Sequence, residues 1–155
     1  MLFDIFEVKF VAMKLKLFSD GGARGNPGPA AAGAILKNST GETVAQISQF
    51  LGDATNNQAE YFAALLGVQK AVELGATEIE ILLDSKLVVE QVAGRWKIKD
   101  LELKKIAEKI HAVLGKFKNW EISHIPREKN QEADALVNQV LDSRGFKKTL
   151  FRGFR

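Results

Sequence analysis

The order of strand-like and helix-like segments constrains the fold of this 155-residue chain more than any other feature. Three segments with strand character come first: KLKLFSD alternates leucine with lysine, AAAGAILKN follows a Gly/Pro-rich turn, and VAQISQFLG follows the turn STGET. Helical patterns then alternate with the strands EIEILLD and WEISHIP. A final helix covers residues 130–145, with Asn130 as its N-cap and Gly145 as its C-cap. The order β-β-β-α-β-α-α-β-α predicts a mixed sheet with helices packed on its faces.

The composition excludes several classes of protein. The apolar fraction is 46% and the charged fraction 26%, which is typical of one globular domain with a substantial core. The chain has no cysteine, so disulfides, thiolate catalysis and cysteine-ligated zinc are excluded. A net charge of +3 permits a polyanionic partner without requiring one. No apolar run approaches the length of a membrane span. We therefore expect a cytoplasmic monomer with no membrane association and no obligate protein partner.

The two ends of the chain differ from its centre. Residues 1–13 are interpreted as an N-terminal extension, because charged residues interrupt their apolar pattern and Met13 stands directly before the first strand. Residues 14–145 form the predicted domain. Residues 146–155 form a basic tail with three phenylalanines. We expect this tail to dock across the sheet, and contact with a nucleic acid remains the alternative.

Four acidic residues stand at the ends of predicted elements. Asp20 ends the first strand and Asp84 the fourth, while Glu60 and Asp134 lie near the starts of helices. Each has a structural alternative: a turn residue at Asp20, a helix cap at Asp84, and complements to the helix dipole at the other two. The ends of strands in open α/β sheets are also where ligands bind. Only the fold can bring the four carboxylates together.

Four segments carry a resemblance to a known family. SDGGARGNPGPAAAGAIL, TNNQAEYFAAL, LLDSKLVV and HIPREKNQEADALV resemble, in order, the signature segments of type 1 ribonuclease H. The resemblance covers residues 14–145, and the short segment GRWKIKDLELKK is similar to members that lack the basic protrusion. It implies the α/β ribonuclease H-like fold, with a five-stranded mixed sheet in the order 3-2-1-4-5 and helices on both faces.

The resemblance also implies an activity. It implies an endoribonuclease that hydrolyses the RNA strand of RNA/DNA hybrids and leaves 5′-phosphate and 3′-hydroxyl ends. Asp20, Glu60, Asp84 and Asp134 are then the catalytic, metal-binding carboxylates for two Mg²⁺ ions, with Mn²⁺ as the alternative metal. Carboxylates suit these hard cations, and two ions can serve both oxygens of an in-line displacement. A non-catalytic hybrid-binding module of the same fold is the alternative, although such a module is expected to lack one of the acids.

The sequence departs from the family just before Asp134. Many bacterial members carry a Gly/His loop there, whereas this chain has SHIPREKNQEAD. His124, at the strand end, and Arg127, nearer the loop position, are both candidates for the auxiliary catalytic residue. Arg127 has a guanidinium suited to phosphate, and a structural role at the strand end is the alternative for His124.

The resemblance further implies a hybrid-binding surface. Glycines clear space for the substrate backbone, and amide side chains bond 2′-hydroxyls, because base sequence is not read. Trp96 packs on a deoxyribose with cations near the DNA phosphates, or else anchors its loop. The substrate-binding residues implied are Gly21, Gly25, Asn26, Thr55, Asn56, Asn57, Gln58, Ser85, Lys86, Trp96 and Lys97.

Overall fold

The computed structural model describes residues 12–146, which form one five-stranded sheet in the order β3-β2-β1-β4-β5. β1 pairs antiparallel with β2 and β2 with β3, whereas β1 with β4 and β4 with β5 are parallel. This is the predicted mixed sheet in the predicted order. The elements are β1 (Lys14–Ala23), β2 (Gly28–Lys37), β3 (Thr43–Ala54), α1 (Asn56–Glu73), β4 (Glu78–Leu83), α2 (Lys86–Val92), α3 (Leu101–Leu114), β5 (Asn119–His124) and α4 (Gln131–Ser143).

Helices cover both faces of the sheet, as predicted. Leu17 of β1 faces α1, where a Cβ added to Gly67 would lie 2.4 Å from its Cδ1. On the opposite face, a Cβ at Gly33 of β2 would lie 2.8 Å from the Ala133 carbonyl oxygen of α4. Each glycine lacks a Cβ that would clash at its contact, so α1 lies close against the Leu17 side chain and α4 close against the β2 backbone. The two strands that carry Asp20 and its neighbours are therefore held between α1 and α4.

One predicted strand end and one predicted helix cap differ from the structure. Asp20 does not end β1, since the strand continues to Ala23 and Asp20 pairs with Gly33 of β2. Asn130 precedes α4 as predicted, but its side chain makes no capping hydrogen bond. The physical reason is that this side chain has other partners inside the fold, described below.

Most of the two terminal segments lies outside the described residues. Of the predicted extension only its last two residues are described, and Met13 accepts backbone hydrogen bonds from Thr77 and Glu78 through its carbonyl oxygen. Of the predicted tail only Phe146 is described. Its ring stacks on Phe50 of β3, with centroids 5.9 Å apart and planes within 7°. The division of the chain into three parts stays a prediction. Within residues 12–146, no helix combines the length and apolarity needed to cross a bilayer.

Candidate active site

The β1–β4 register places Asp20 beside Asp84. The last pair of the parallel ladder is Ser19 with Leu83, so each aspartate follows its strand's final pair directly. Neighbouring parallel strands point the same way, and their side chains beyond the last pair emerge at one edge. Asp84 is not the cap of α2, because Ser85 fills that position and its Oγ accepts a hydrogen bond of 3.3 Å from Val88 N.

Glu60 reaches the same edge from the first half of α1. Its Oε1 accepts a hydrogen bond of 3.0 Å from the Gly21 backbone amide. A Cβ at Gly21 would lie 2.2 Å from the carbonyl carbon and oxygen of Ala59, so only glycine fits there. On its Cβ side the space is filled by α1, and the missing side chain lets Glu60 approach Asp20. That Gly21 also clears space for a substrate stays a prediction.

Three carboxylates converge closely enough to share a cation. Asp20, Glu60 and Asp84 each offer an oxygen, and these oxygens all lie within 4.8 Å of one another. Asp134 is not one of these three residues, but its carboxylate is a direct neighbour of the Asp20 carboxylate. Hard oxygen donors in a cluster without histidine or cysteine fit Mg²⁺ or Mn²⁺ and do not fit a softer ion.

The electrostatics of the cluster favour a positive ion. Burial raises the pKa of Asp20 to about 7 from an ordinary value of 3.8, and the carboxylates of Asp84 and Asp134 add to the rise. Burial also raises the pKa of Glu60, helped by the charges of Asp20 and Asp84 and opposed by the Gly21 amide. Such shifts reflect the cost of burying negative charge beside other negative charges, and a divalent cation would offset that cost.

The carboxylates line a polar groove of about 480 Å³. The structure brings Arg127 into this groove, where its charge is opposite to that of the cluster. His124 is elsewhere: it pairs in register with Leu83, and its ring Nε2 lies 3.2 Å from the Asp84 backbone oxygen. Of the two auxiliary candidates, Arg127 is therefore the one that lines the groove with the carboxylates. The residues lining the groove are Asp20, Gly21, Asn56, Glu60, Asp84, Arg127 and Asp134.

The amide-rich start of α1 is built into the edge of the groove. The Asn56 side-chain oxygen accepts a hydrogen bond of 2.9 Å from Ala23 N, and that of Asn26 accepts one of 3.0 Å from Asn56 N. Thr55 and Gln58 form a reciprocal capping box. Asn57 is exposed. Four of these predicted substrate residues therefore also fix the loop against the helix, and Asn57 points its amide to solvent.

The remaining predicted residues lie outside the groove. Gly25 has φ +100°, a backbone conformation that favours glycine in the turn between β1 and β2. Lys86 and Lys97 are exposed, and Trp96 is 45% exposed. The loop that carries Trp96 is anchored by its backbone, since Lys97 O accepts a hydrogen bond from Gln91 Nε2. The exposed part of the Trp96 indole is therefore accessible to a partner, and its role as a substrate contact or as a loop anchor stays a prediction.

Asn130 is a site residue that the sequence did not identify as one. It is 1% exposed, and its Nδ2 donates to Ser19 O at 2.8 Å and to Asp84 Oδ2 at 3.3 Å. One amide thus ties the start of α4 to the backbone before Asp20 and to the carboxylate of Asp84. Its position four residues before Asp134 was the available signal, but that position also matches an ordinary helix cap.

Comparison with known proteins identifies the family. A family model described as reverse transcriptase-like matches residues 18–140, a range that contains all four acids. A curated ribonuclease HI of Halobacterium salinarum is 41% identical over 129 residues, which is 83% of this chain and 65% of that protein. The crystal structure of the ribonuclease H1 from that archaeon superposes with a TM-score of 0.82 and covers 98% of that chain. The chain belongs to the type 1 ribonuclease H family. The predicted family and fold are confirmed.

Two further comparisons involve a longer relative and a structure solved with nucleic acid. A bifunctional protein of Mycobacterium tuberculosis is 46% identical over 132 residues, covering 84% of this chain but only 36% of that protein. The chain therefore spans about a third of the length of its mycobacterial relatives. LC11-RNase H1, solved in complex with an RNA/DNA hybrid, superposes with a TM-score of 0.80 at 38% identity, over 84% of this chain and 98% of that one.

Proposed function

We propose that this chain is an endoribonuclease that hydrolyses the RNA strand of RNA/DNA hybrids with divalent metal ions. The observation that carries the proposal is the convergence of Asp20, Glu60 and Asp84 within 4.8 Å, with Asp134 against Asp20. A hybrid-binding module without activity has no need for buried carboxylates that repel one another. The complete acid set therefore favours the enzyme over the module.

The site residues have separate tasks in this reaction. Asp20, Glu60 and Asp84 would hold the metal, and Asp134 would complete the ligand set for a second ion. Mg²⁺ held by these carboxylates would supply an activated water and would neutralise charge on the leaving oxygen. The Gly21 amide keeps Glu60 in place, and Asn130 does the same for Asp84. Arg127 binds the scissile phosphate from the groove, since a guanidinium matches phosphate geometry and keeps its charge.

The hybrid is the substrate that this surface fits. LC11-RNase H1 binds such a hybrid with a closely similar fold. In this chain we assign 2′-hydroxyl recognition to the exposed amides of Asn26, Asn56 and Asn57 beside the groove. Trp96 and Lys97 would contact the DNA strand, where an exposed indole stacks and an ammonium neutralises phosphate. Products with 5′-phosphate and 3′-hydroxyl ends and a cytoplasmic location complete the proposal.

A cleavage assay tests the proposal. A labelled RNA/DNA hybrid, the same RNA alone and the RNA duplex are incubated with Mg²⁺, with Mn²⁺ and with EDTA. We expect cleavage of the hybrid only, a loss of cleavage in EDTA, and RNA products that carry a 5′-phosphate. Glu60→Gln should abolish cleavage, whereas the matched variant Glu108→Gln, on the exposed side of α3, should cleave like the wild type. Hybrid that binds but stays intact with both metals would establish the binding module instead.

A further inference from the structure

Arg24 is an almost buried cation next to the proposed metal site. It follows β1 directly, and its side chain is only 8% exposed. Its guanidinium donates to Asn138 Oδ1 at 2.9 Å, to Asp142 Oδ1 at 2.9 Å and to the Phe146 carbonyl oxygen. All three partners lie on α4 or just after it. A guanidinium offers five donors in a fixed plane and no acceptor, so each partner must present an oxygen.

That requirement fixes the orientation of Asn138. A carboxamide has an acceptor at one end and donors at the other, and the end facing Arg24 must be the oxygen. Its nitrogen is thereby turned the other way, where Nδ2 donates to Asp134 Oδ2 at 3.2 Å. A flipped amide would set N–H groups against Arg24 and oxygen against the carboxylate. Because one neighbour only donates and the other only accepts, a single orientation satisfies both.

The geometry of α4 makes the chain of contacts continuous. Asp134, Asn138 and Asp142 are spaced four residues apart, so they lie along one face of the helix. Arg24 lies across that face from the turn after β1, and both Arg24 and Asp134 line a second groove of about 350 Å³. The contacts therefore run from Arg24 through Asn138 to Asp134, whose carboxylate stands against Asp20.

The ion pair with Asp142 does not explain the burial of Arg24. Asp142 is 62% exposed on its side chain, and an exposed partner contributes about 1 kcal/mol or less to stability. The hydrogen bond to Asn138 is made on the inner side, toward the acids. A role in the acid cluster accounts for this position better than attachment of the helix end alone.

We propose that Arg24 is a positioning residue of the active site, which acts through Asn138 to orient the carboxylate of Asp134. With Oδ2 held by Asn138, the other oxygen of Asp134 is left for a cation shared with Asp20. The inference rests on the proposed ribonuclease activity for its kinetic consequences. Its consequence for metal binding can be measured without any substrate.

A double-mutant cycle tests the proposal. Arg24→Lys, Asn138→Ala and the double variant are compared with the wild type in hybrid cleavage. We expect each single variant to lower kcat about tenfold, as for a lost hydrogen bond to a charged group, with KM within about twofold of the wild type. The double variant should be no worse than Asn138→Ala, because Arg24 acts through Asn138. Additive losses, or a change in KM alone, would overturn the proposal.

Metal binding provides the second readout. In Mg²⁺ titrations followed by NMR chemical shifts, Arg24→Lys and Asn138→Ala should weaken binding by a similar factor, about threefold to tenfold. Arg144→Ala is the matched control, because Arg144 packs at 4.0 Å over the Phe50 ring near the same helix end. That variant should lower the melting temperature and leave Mg²⁺ affinity unchanged. If the Arg24 and Asn138 variants also lower only the melting temperature, the role is structural and the proposal fails. A wild type that binds Mg²⁺ without cleaving the hybrid would refute the proposed function, and the titration would still decide this inference.

Discussion

The backbone amide of Gly21 donates a 3.0 Å hydrogen bond to the carboxylate of Glu60, across 39 residues of sequence. This bond exists because α1 lies directly against β1 at a position with no side chain. It joins the residue after Asp20 to the acid that α1 contributes. The packing of α1 on β1 thus sets the distance between the carboxylates of Glu60 and Asp20.

Gly21→Ala should therefore damage both stability and activity. The new methyl group would lie 2.2 Å from the backbone of Ala59, so α1 must move away from β1. We expect a loss of about 3 kcal/mol in the free energy of unfolding and no measurable cleavage. Gly22→Ala is the control, since its Cβ would lie 3.7 Å from Val137 Cγ1, an ordinary contact. Urea denaturation of both variants checks this prediction, which an equal loss in the two would contradict.

The raised pKa of Asp20 predicts a pH-dependent stability for the metal-free protein. The folded state holds the proton up to a pKa of about 7, whereas an unfolded aspartate releases it near 3.8. The free energy of unfolding therefore falls as the pH rises from about 4 to about 7, by an amount on the order of 4 kcal/mol.

Asp20→Asn isolates this effect, because the amide cannot ionise. In EDTA the variant should gain stability over the wild type as the pH rises through that window, and should match it near pH 4. The measurement is urea denaturation of both proteins across the pH range. A difference that does not change with pH would show that Asp20 keeps an ordinary pKa in the fold.

Arg127, and not His124, is expected to be the auxiliary residue of cleavage. Arg127 lines the groove with the carboxylates. His124 does not line the groove, and its ring contacts the backbone oxygen of Asp84. Arg127→Ala should lower kcat/KM at least about tenfold, the effect of losing a charged hydrogen bond to phosphate. His124→Ala should lower it by less than about threefold. Single-turnover cleavage of the hybrid compares them, and the reverse order of effects would assign the role to His124.

Asn130 is expected to contribute both to the stability of the fold and to metal binding. Asn130→Ala removes the donor to Ser19 O and to Asp84, at a site that is 1% exposed. We expect a loss of about 2 kcal/mol in the free energy of unfolding and a higher Mg²⁺ concentration for half-maximal activity. Asn119→Ala, at an exposed amide that donates to Glu78 at 3.3 Å, is the control and should change both by little. If the Mg²⁺ requirement of Asn130→Ala is unaltered, Asn130 has a structural role only.

The sequence predicted the parts of the site that follow from local pattern. Asp20 and Asp84 each follow an apolar stretch of a strand, although β1 continues past Asp20, and the parallel pairing of β1 with β4 places them side by side. The helices followed from periodicity, whereas the sheet order was implied by the family resemblance. These features depend on residues close together in the sequence or on a rule that relates neighbouring strands.

The contacts that hold the acids in place could not be predicted in the same way. Asn130 reads as a helix cap in the sequence, and only the fold shows that its side chain reaches Ser19, 111 residues earlier. Arg24 likewise reads as a turn residue in GGARGNPG, although its partners lie on α4. Such bonds depend on the approach of elements that are distant in sequence, and no local pattern encodes that approach. For the same reason, the sequence could not decide between His124 and Arg127.

The four acids come from four separate parts of the chain, at positions 20, 60, 84 and 134. No single element contains the site. It exists only while β1, α1, the end of β4 and α4 are assembled. A divalent cation that binds there thus acts as a folding ligand. At a hundred times its dissociation constant it would stabilise the native state by about 2.7 kcal/mol. Free magnesium in the surrounding solution would then govern how long the domain resists unfolding and proteolysis, as well as how fast it acts.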